Sequence, residues 1–195
     1  MKKSFIDTRQ HLLDIGLELM ARSGFSAVGL SQILAKANVP KGSFYHYFTS
    51  KEQFANTVLA AYFDAYLQEM DQHLAHANTP QGLMPYFEHW YDSYGQECQQ
   101  QRCLVVKLSA EVADLSDDMR LTLVNGSQAI IDKLEHALLA QQADLQPQAM
   151  RLANHLYQLW LGASLLTKLQ RSKQPLDLAL IQTQQWLSQW QRPCH

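Results

Sequence analysis

Residues 39–52 read VPKGSFYHYFTSKE. Pro40 suits the first turn of a helix, where its missing N–H has no partner to lose. Phe44 and Phe48 stand four apart, so both rings fall on one helical face and can anchor a short helix in a small core. Ser43, His46 and Tyr47 then point largely away from that core, with Lys41 and Tyr45 at its edges. Hydroxyls, an imidazole and an ammonium on a short exposed helix suit phosphate and base-edge contacts in a major groove. Lys51 opens the next helix, where its ammonium and the free N–H groups can both meet a phosphate. The plain alternative is a solvated polar face.

Outward from this stretch, nearly every segment repeats its apolar residues at a period near 3.6, and none alternates at period two. The fold class is therefore all-α, with about nine helices. Asp7 or Thr8 can cap a first helix with Leu12, Leu13, Leu17 and Met20 inward, closed at Ser23-Gly24. A short second helix covers about 30–37 and a third follows Pro40. Three such helices make a helix-turn-helix unit. A long fourth helix runs from about 50 to 77, with Phe54, Val58, Tyr62, Tyr66, Met70 and Leu74 on its buried stripe. Further helices are expected at about 80–99, 103–113, 116–140, 147–172 and 176–191, with Ser116 capping the seventh. The seam falls at residue 50, giving a small helix-turn-helix domain at 1–50 and a larger helical domain at 51–195.

Charge follows the same division. The 195-residue chain has a formal net charge of −2, yet residues 1–51 hold seven Lys/Arg against three acids, and the remainder nine against fifteen. A basic first quarter on an acidic body points to an anionic partner at that end, most simply nucleic acid. No apolar run is long enough to span a membrane and no signal sequence opens the chain. Three cysteines without a disulfide framework fit a reducing, cytoplasmic setting. An enzyme would need a catalytic set. No nucleophile elbow, paired metal-ligand motif or Gly-rich phosphate loop is present, and neither cofactor nor metal is expected.

Residues 28–54, VGLSQILAKANVPKGSFYHYFTSKEQF, closely resemble the DNA-binding motif of TetR-family transcriptional regulators. The resemblance implies a repressor bound to double-stranded operator DNA as a homodimer. It implies that Gly29 and Leu30 begin the second helix, whose backbone N–H groups hold phosphate. Ser43 would approach bases with Lys41 and Gly42 beside it, while Tyr45, His46, Tyr47 and Lys51 would hold the DNA backbone. Gly29 departs from the family's frequent threonine cap, which removes a side-chain phosphate contact there.

The body carries two further signals. Cys103 opens a helix between Arg102 and Lys107, and a helix N-terminus with neighbouring cations favours thiolate over thiol. The alternative is a small buried hydrophobe, as most free cysteines are. Residues 102–120 and 156–180 resemble the N-ethylmaleimide- and electrophile-responsive branch of TetR repressors, which implies that Cys103 is the sensing residue. Lys168 is then a candidate basic neighbour and Cys98 a candidate resolving thiol. Cys98-x4-Cys103 lacks a supporting His/Cys pair at zinc spacing, and Cys194 lies in the tail after Pro193. Sensing by a non-covalent hydrophobic or aromatic ligand is the competing expectation, with the aromatic fifth helix and Trp160 lining its pocket. Leu152, Leu156, Leu159, Ala163 and Leu166 repeat at 4-3-4-3, with Leu187 on the following helix. This is either a core stripe or, as the resemblance implies, part of a four-helix dimer interface.

Overall fold

The structure is a computed structural model, and it describes residues 5–75, 79–93, 104–112, 114–140 and 145–190. The described residues form α1 (Phe5–Ser23), α2 (Leu30–Ala37), α3 (Lys41–Tyr47), α4 (Lys51–Leu74), a 3-10 turn (Pro80–Leu83), α5 (Met84–Asp92), α6 (Leu104–Val112), α7 (Asp117–Leu139), α8 (Gln146–Gln170) and α9 (Gln174–Trp190). No strand occurs among them. Among the described residues helix α1 already includes Phe5, upstream of the expected caps at Asp7 and Thr8. Asn38 ends α2 in a left-handed conformation, φ 53°. The Ser116 hydroxyl accepts from the N–H of Met119, 3.4 Å away, and so caps α7. The expected fifth helix opens with a 3-10 turn, in which Thr79 accepts from the N–H of Gly82.

The packing divides the chain into two compact units, and the division differs from a cut at residue 50. The described residues up to Ala65 group with Leu104–Gly126, and Tyr66–Ser93 group with Ser127–Trp190. The three head helices thus share a unit with the first half of α4, α6 and the start of α7. In this first unit Leu12, Met20, Val28, Ile33, Phe44, Phe54, Leu108 and Met119 are fully buried. A Cβ on Gly126 would strike the ring of Phe63, so glycine permits the close approach of α7 to α4.

The second unit is built on aromatic rings. Phe87 stacks on Trp160 at 5.2 Å between centroids, and Tyr86 and Trp90 pack beside them. Polar edges are matched as burial demands. Trp160 donates to Thr183 (2.9 Å), Trp90 to Ser164 (3.2 Å), and the hydroxyls of Tyr66 and Tyr86 share a hydrogen bond of 2.7 Å. These bonds tie α8 to α9, α5 to α8 and α4 to α5. The rings expected to line a ligand pocket therefore fill this core with one another. No described helix is long and apolar enough to cross a membrane.

Candidate functional site

The site is built on one short helix held from behind by three phenylalanines. Phe44 and Phe48 lie 5.3 Å apart and both meet Phe54 of α4, at 5.3 and 4.8 Å. All three rings are at most 1% exposed. Each such burial contributes about 1.5–3 kcal/mol, so the rotation of α3 is set by its apolar side. The opposite side is open. Lys41, Gly42, Tyr45 and His46 are exposed, and Ser43 and Tyr47 half-buried. A Cβ on Gly42 would meet nothing within 4 Å, which leaves this edge clear for a large partner. Lys41 lies 5.9 Å over the Tyr45 ring, and the rings of His46 and Tyr47 are 5.4 Å apart.

Helix α2 packs against α1 through the His11 imidazole, 3.1 Å from the carbonyl of Ala37, and through the ion pair of Lys36 with Glu18. Its N-cap, Gly29, is exposed and supplies no side-chain cap; Leu30 is half-buried. The first turn of α2 therefore begins with backbone groups alone. Such an end suits an anion electrostatically.

Lys51 is placed differently from the other residues of this set. Its ammonium donates to the carbonyl of Phe25 (2.9 Å) and lies 4.2 Å over the Phe25 ring. Burial holds its pKa below the ordinary lysine value, against the pull of Glu111. It fastens the α1–α2 turn to the start of α4 instead of standing open to solvent.

Glu111, which the sequence reading passed over, completes the arrangement. Its carboxylate accepts from the N–H of Phe25 (2.9 Å) and of Ser26 (2.6 Å). Burial opposes its ionisation, but the hydrogen bonds from Ser26 and Phe25, with Lys51 close by, hold its carboxyl below the usual carboxylate range. Gly24 turns the chain at φ +86°, and a Cβ there would come 2.6 Å from the Glu111 carboxylate. Lys107, one turn earlier on α6, donates to the carbonyl of Arg22. Two side chains of α6 thus hold the backbone at the end of α1, through Arg22, and in the turn that leads into α2, through Phe25 and Ser26. Their four-residue spacing, with opposite charges, was visible in the sequence, but the fold alone reveals the turn they meet.

Cys103, Cys98 and Cys194 lie outside the described residues. Lys168 is exposed in the last turn of α8. Of the six residues expected at a dimer seam, Leu156, Ala163 and Leu187 are buried inside the unit itself, at 0, 5 and 0% exposure. Leu152 and Leu159 are half-buried and Leu166 is exposed. The 4-3-4-3 repeat runs along the line where α8 turns from its own core to its surface. Leu166 and Leu178 line one open groove between α8 and α9, and Leu169 and Ile181 are also exposed on those helices.

Comparison with known proteins agrees with this architecture. Residues 12–58 match the family described as bacterial regulatory proteins, tetR family, and residues 80–183 match the tetracyclin repressor-like C-terminal domain. The chain is 41% identical over 180 residues to the HTH-type transcriptional repressor NemR of Escherichia coli K12, covering 89% of this chain and 90% of that protein. It is 31% identical over 175 residues to the HTH-type transcriptional repressor DhaR of Mycobacterium sp. GP1, covering 87% and 86%. The crystal structure of E. coli NemR in its reduced form superposes with a TM-score of 0.81 at 38% identity, covering 91% of this chain and 95% of that one. The chain belongs to the TetR family of bacterial transcriptional regulators.

Proposed function

We propose that this protein is a cytoplasmic transcriptional repressor that binds a pseudo-palindromic operator as a homodimer and releases it when Cys103 is modified by an electrophile or oxidant. The observation that carries the reading is the outer face of α3. It is exposed, polar, uncluttered at Gly42, and held in one orientation by Phe44 and Phe48. Ser43 is the base-reading residue, flanked by Lys41 and Gly42. Tyr45, His46 and Tyr47 hold phosphates, with the first turn of α2 at Gly29 and Leu30. Lys51 acts on DNA chiefly by holding the turn that presents α2.

The dimer is supported by the apolar face of α8 and α9. Leu169 and Leu178 are 70% and 60% exposed there, more than a chain acting alone needs to show to water. Two-fold pairing of recognition helices then matches two half-sites.

The trigger is supported by sequence position. Cys103 immediately precedes α6, and α6 carries the Lys107 and Glu111 contacts to the α1–α2 turn. A bond formed at Cys103 would act at the root of that grip, with Cys98 or Lys168 as the reaction partner in a reversible form. Populations shift by a decade for each 1.4 kcal/mol of preference between binding and non-binding states. The test is operator release in fluorescence anisotropy, with intact mass recorded on the same sample. N-Ethylmaleimide should release the parent in step with one adduct, while Cys103→Ser binds normally and stays bound. Release of Cys103→Ser as readily as the parent would assign Cys103 to packing.

A further inference from the structure

The second unit holds a cluster of ligating side chains that DNA binding does not use. Glu69 and His73 stand four residues apart on α4 and so share one face of that helix. His89 comes to the same place from α5. The His89 Nε2 is 2.6 Å from a Glu69 carboxylate oxygen, and the rings of His73 and His89 stack at 4.2 Å with 27° between their planes. One ligand atom from each residue lies within 4.8 Å of the other two. The His73 and His89 rings thus face one another, and the Glu69 carboxylate lies against Nε2 of His89.

We propose that Glu69, His73 and His89 bind a divalent transition cation of the Zn2+ class, joining α4 to α5. The donor set decides the class. Two imidazoles and one carboxylate suit Zn2+, Co2+, Ni2+ or Cu2+, whereas Mg2+ and Ca2+ require predominantly oxygen ligands. Bonds of about 2.0–2.1 Å in a tetrahedron place ligand atoms roughly 3.3 Å apart. The two ring planes are close to parallel, so one imidazole must turn edge-on for both nitrogens to face one cation, and the ligand atoms must draw in from separations of up to 4.8 Å. The cation takes the place of the proton that His89 and Glu69 share. Three protein ligands leave one position for water, and solvent reaches it: the side chains of His89 and Glu69 are 36% and 42% exposed.

The framework beneath is rigid, as a metal site requires. Met70 of α4 and Phe87 of α5 are at most 1% exposed, and the Tyr66–Tyr86 hydrogen bond fixes the two helices to one another in the core. The signal available in the sequence was Glu-x3-His on one helix. It supplies two ligands and no third, because His89 joins them only where α5 packs on α4.

Co2+ titration of the reduced, untagged full-length protein tests the proposal, because cobalt reports its ligands in its absorption spectrum. The expected result is one equivalent bound, with visible d–d bands but no thiolate-to-cobalt charge-transfer band. Zn2+ should displace the cobalt and raise the melting temperature. His89→Gln and Glu69→Gln should each weaken binding at least tenfold, since loss of a mere supporting partner already costs 10–100-fold. Circular dichroism of each metal-free variant identifies whichever is folded, and the folded one is read. Absence of stoichiometric uptake, a thiolate band, or unchanged affinity in a folded variant would overturn the assignment.

Discussion

Two exposed faces of this molecule have opposite chemistry, and each identifies its partner by what it lacks. The outer side of α3 presents an ammonium, hydroxyls, an imidazole and an open glycine, but no large aliphatic side chain. The outer side of α8 and α9 presents Leu166 and Leu178 in a groove rimmed by glutamines such as Gln170, Gln174 and Gln182, with Leu169 and Ile181 also exposed on these helices. The first face is already solvated, so a partner must repay the loss of water with charge and directed hydrogen bonds, as a phosphate backbone does. The second gains simply by being covered. Both are set from behind by buried rings: Phe44 and Phe48 behind α3, Trp160 behind α8.

The largest effect should come from breaking the apolar face. Leu178→Arg puts a cation on a site that is 60% exposed in the single chain, so the subunit should fold while dimerisation is lost. Linked half-sites gain 10²–10⁴-fold in avidity, and operator affinity should fall roughly a hundredfold or more. Sedimentation velocity beside anisotropy reads both quantities. A Leu178→Arg protein that stays dimeric would place the interface elsewhere. Ala163→Arg is the poorer probe, because Ala163 is only 5% exposed and the substitution would damage the fold itself.

Next in size is Glu111→Gln. Both carboxylate oxygens face N–H donors, so the amide must turn its own NH2 toward one of them. The cost should be about 1–3 kcal/mol in urea unfolding. The carboxyl of Glu111 is held below its ordinary value in the folded state, so its contribution is complete above the unfolded carboxylate pKa and fades as pH falls through the folded one. The gap between parent and Glu111→Gln should therefore narrow in acid. A gap that widened would show the carboxylate to be a burden on the fold.

The two lysines of the motif sharpen the comparison at smaller scale. Lys41 is exposed, so Lys41→Ala should leave stability unchanged and flatten the salt dependence of DNA binding by about one phosphate equivalent. Lys51→Ala should instead cost about 1–2 kcal/mol of stability, through loss of the Phe25 carbonyl bond and the ring contact. Equal stability of the two variants would return Lys51 to the open phosphate-binding role suggested by its sequence position.

That pair marks where the sequence was legible. Positions whose role depends on periodicity could be read directly: the Phe44/Phe48 anchor, the Ser116 cap, and the stripe of α4 from Phe54 to Met70 are all local in the chain. Lys51 and Glu111 could not, because their partners Phe25 and Ser26 lie 26 and 85 residues away and no local pattern encodes that encounter. The stripe of α8 was legible only in part for a related reason. A 4-3-4-3 repeat finds an apolar stripe but does not say which side of it the chain covers for itself. Leu156 and Leu187 went to the core, while Leu169 on α8 and Leu178 on α9 stayed open. Glu69, His73 and His89 became a cluster only when α5 was laid on α4.

The central claim is that α3 reads DNA through Ser43 in a two-fold arrangement. Selection of bound duplexes from a random pool tests it most directly, run in parallel with the parent and with Ser43→Ala. The account predicts that the parent enriches a pseudo-palindrome of two related half-sites, and that Ser43→Ala enriches a pool relaxed at the same position in each half, a change of about 1–3 kcal/mol in base discrimination. Enrichment of no common sequence by the parent, or of the same sequence with the same stringency by both proteins, would contradict it.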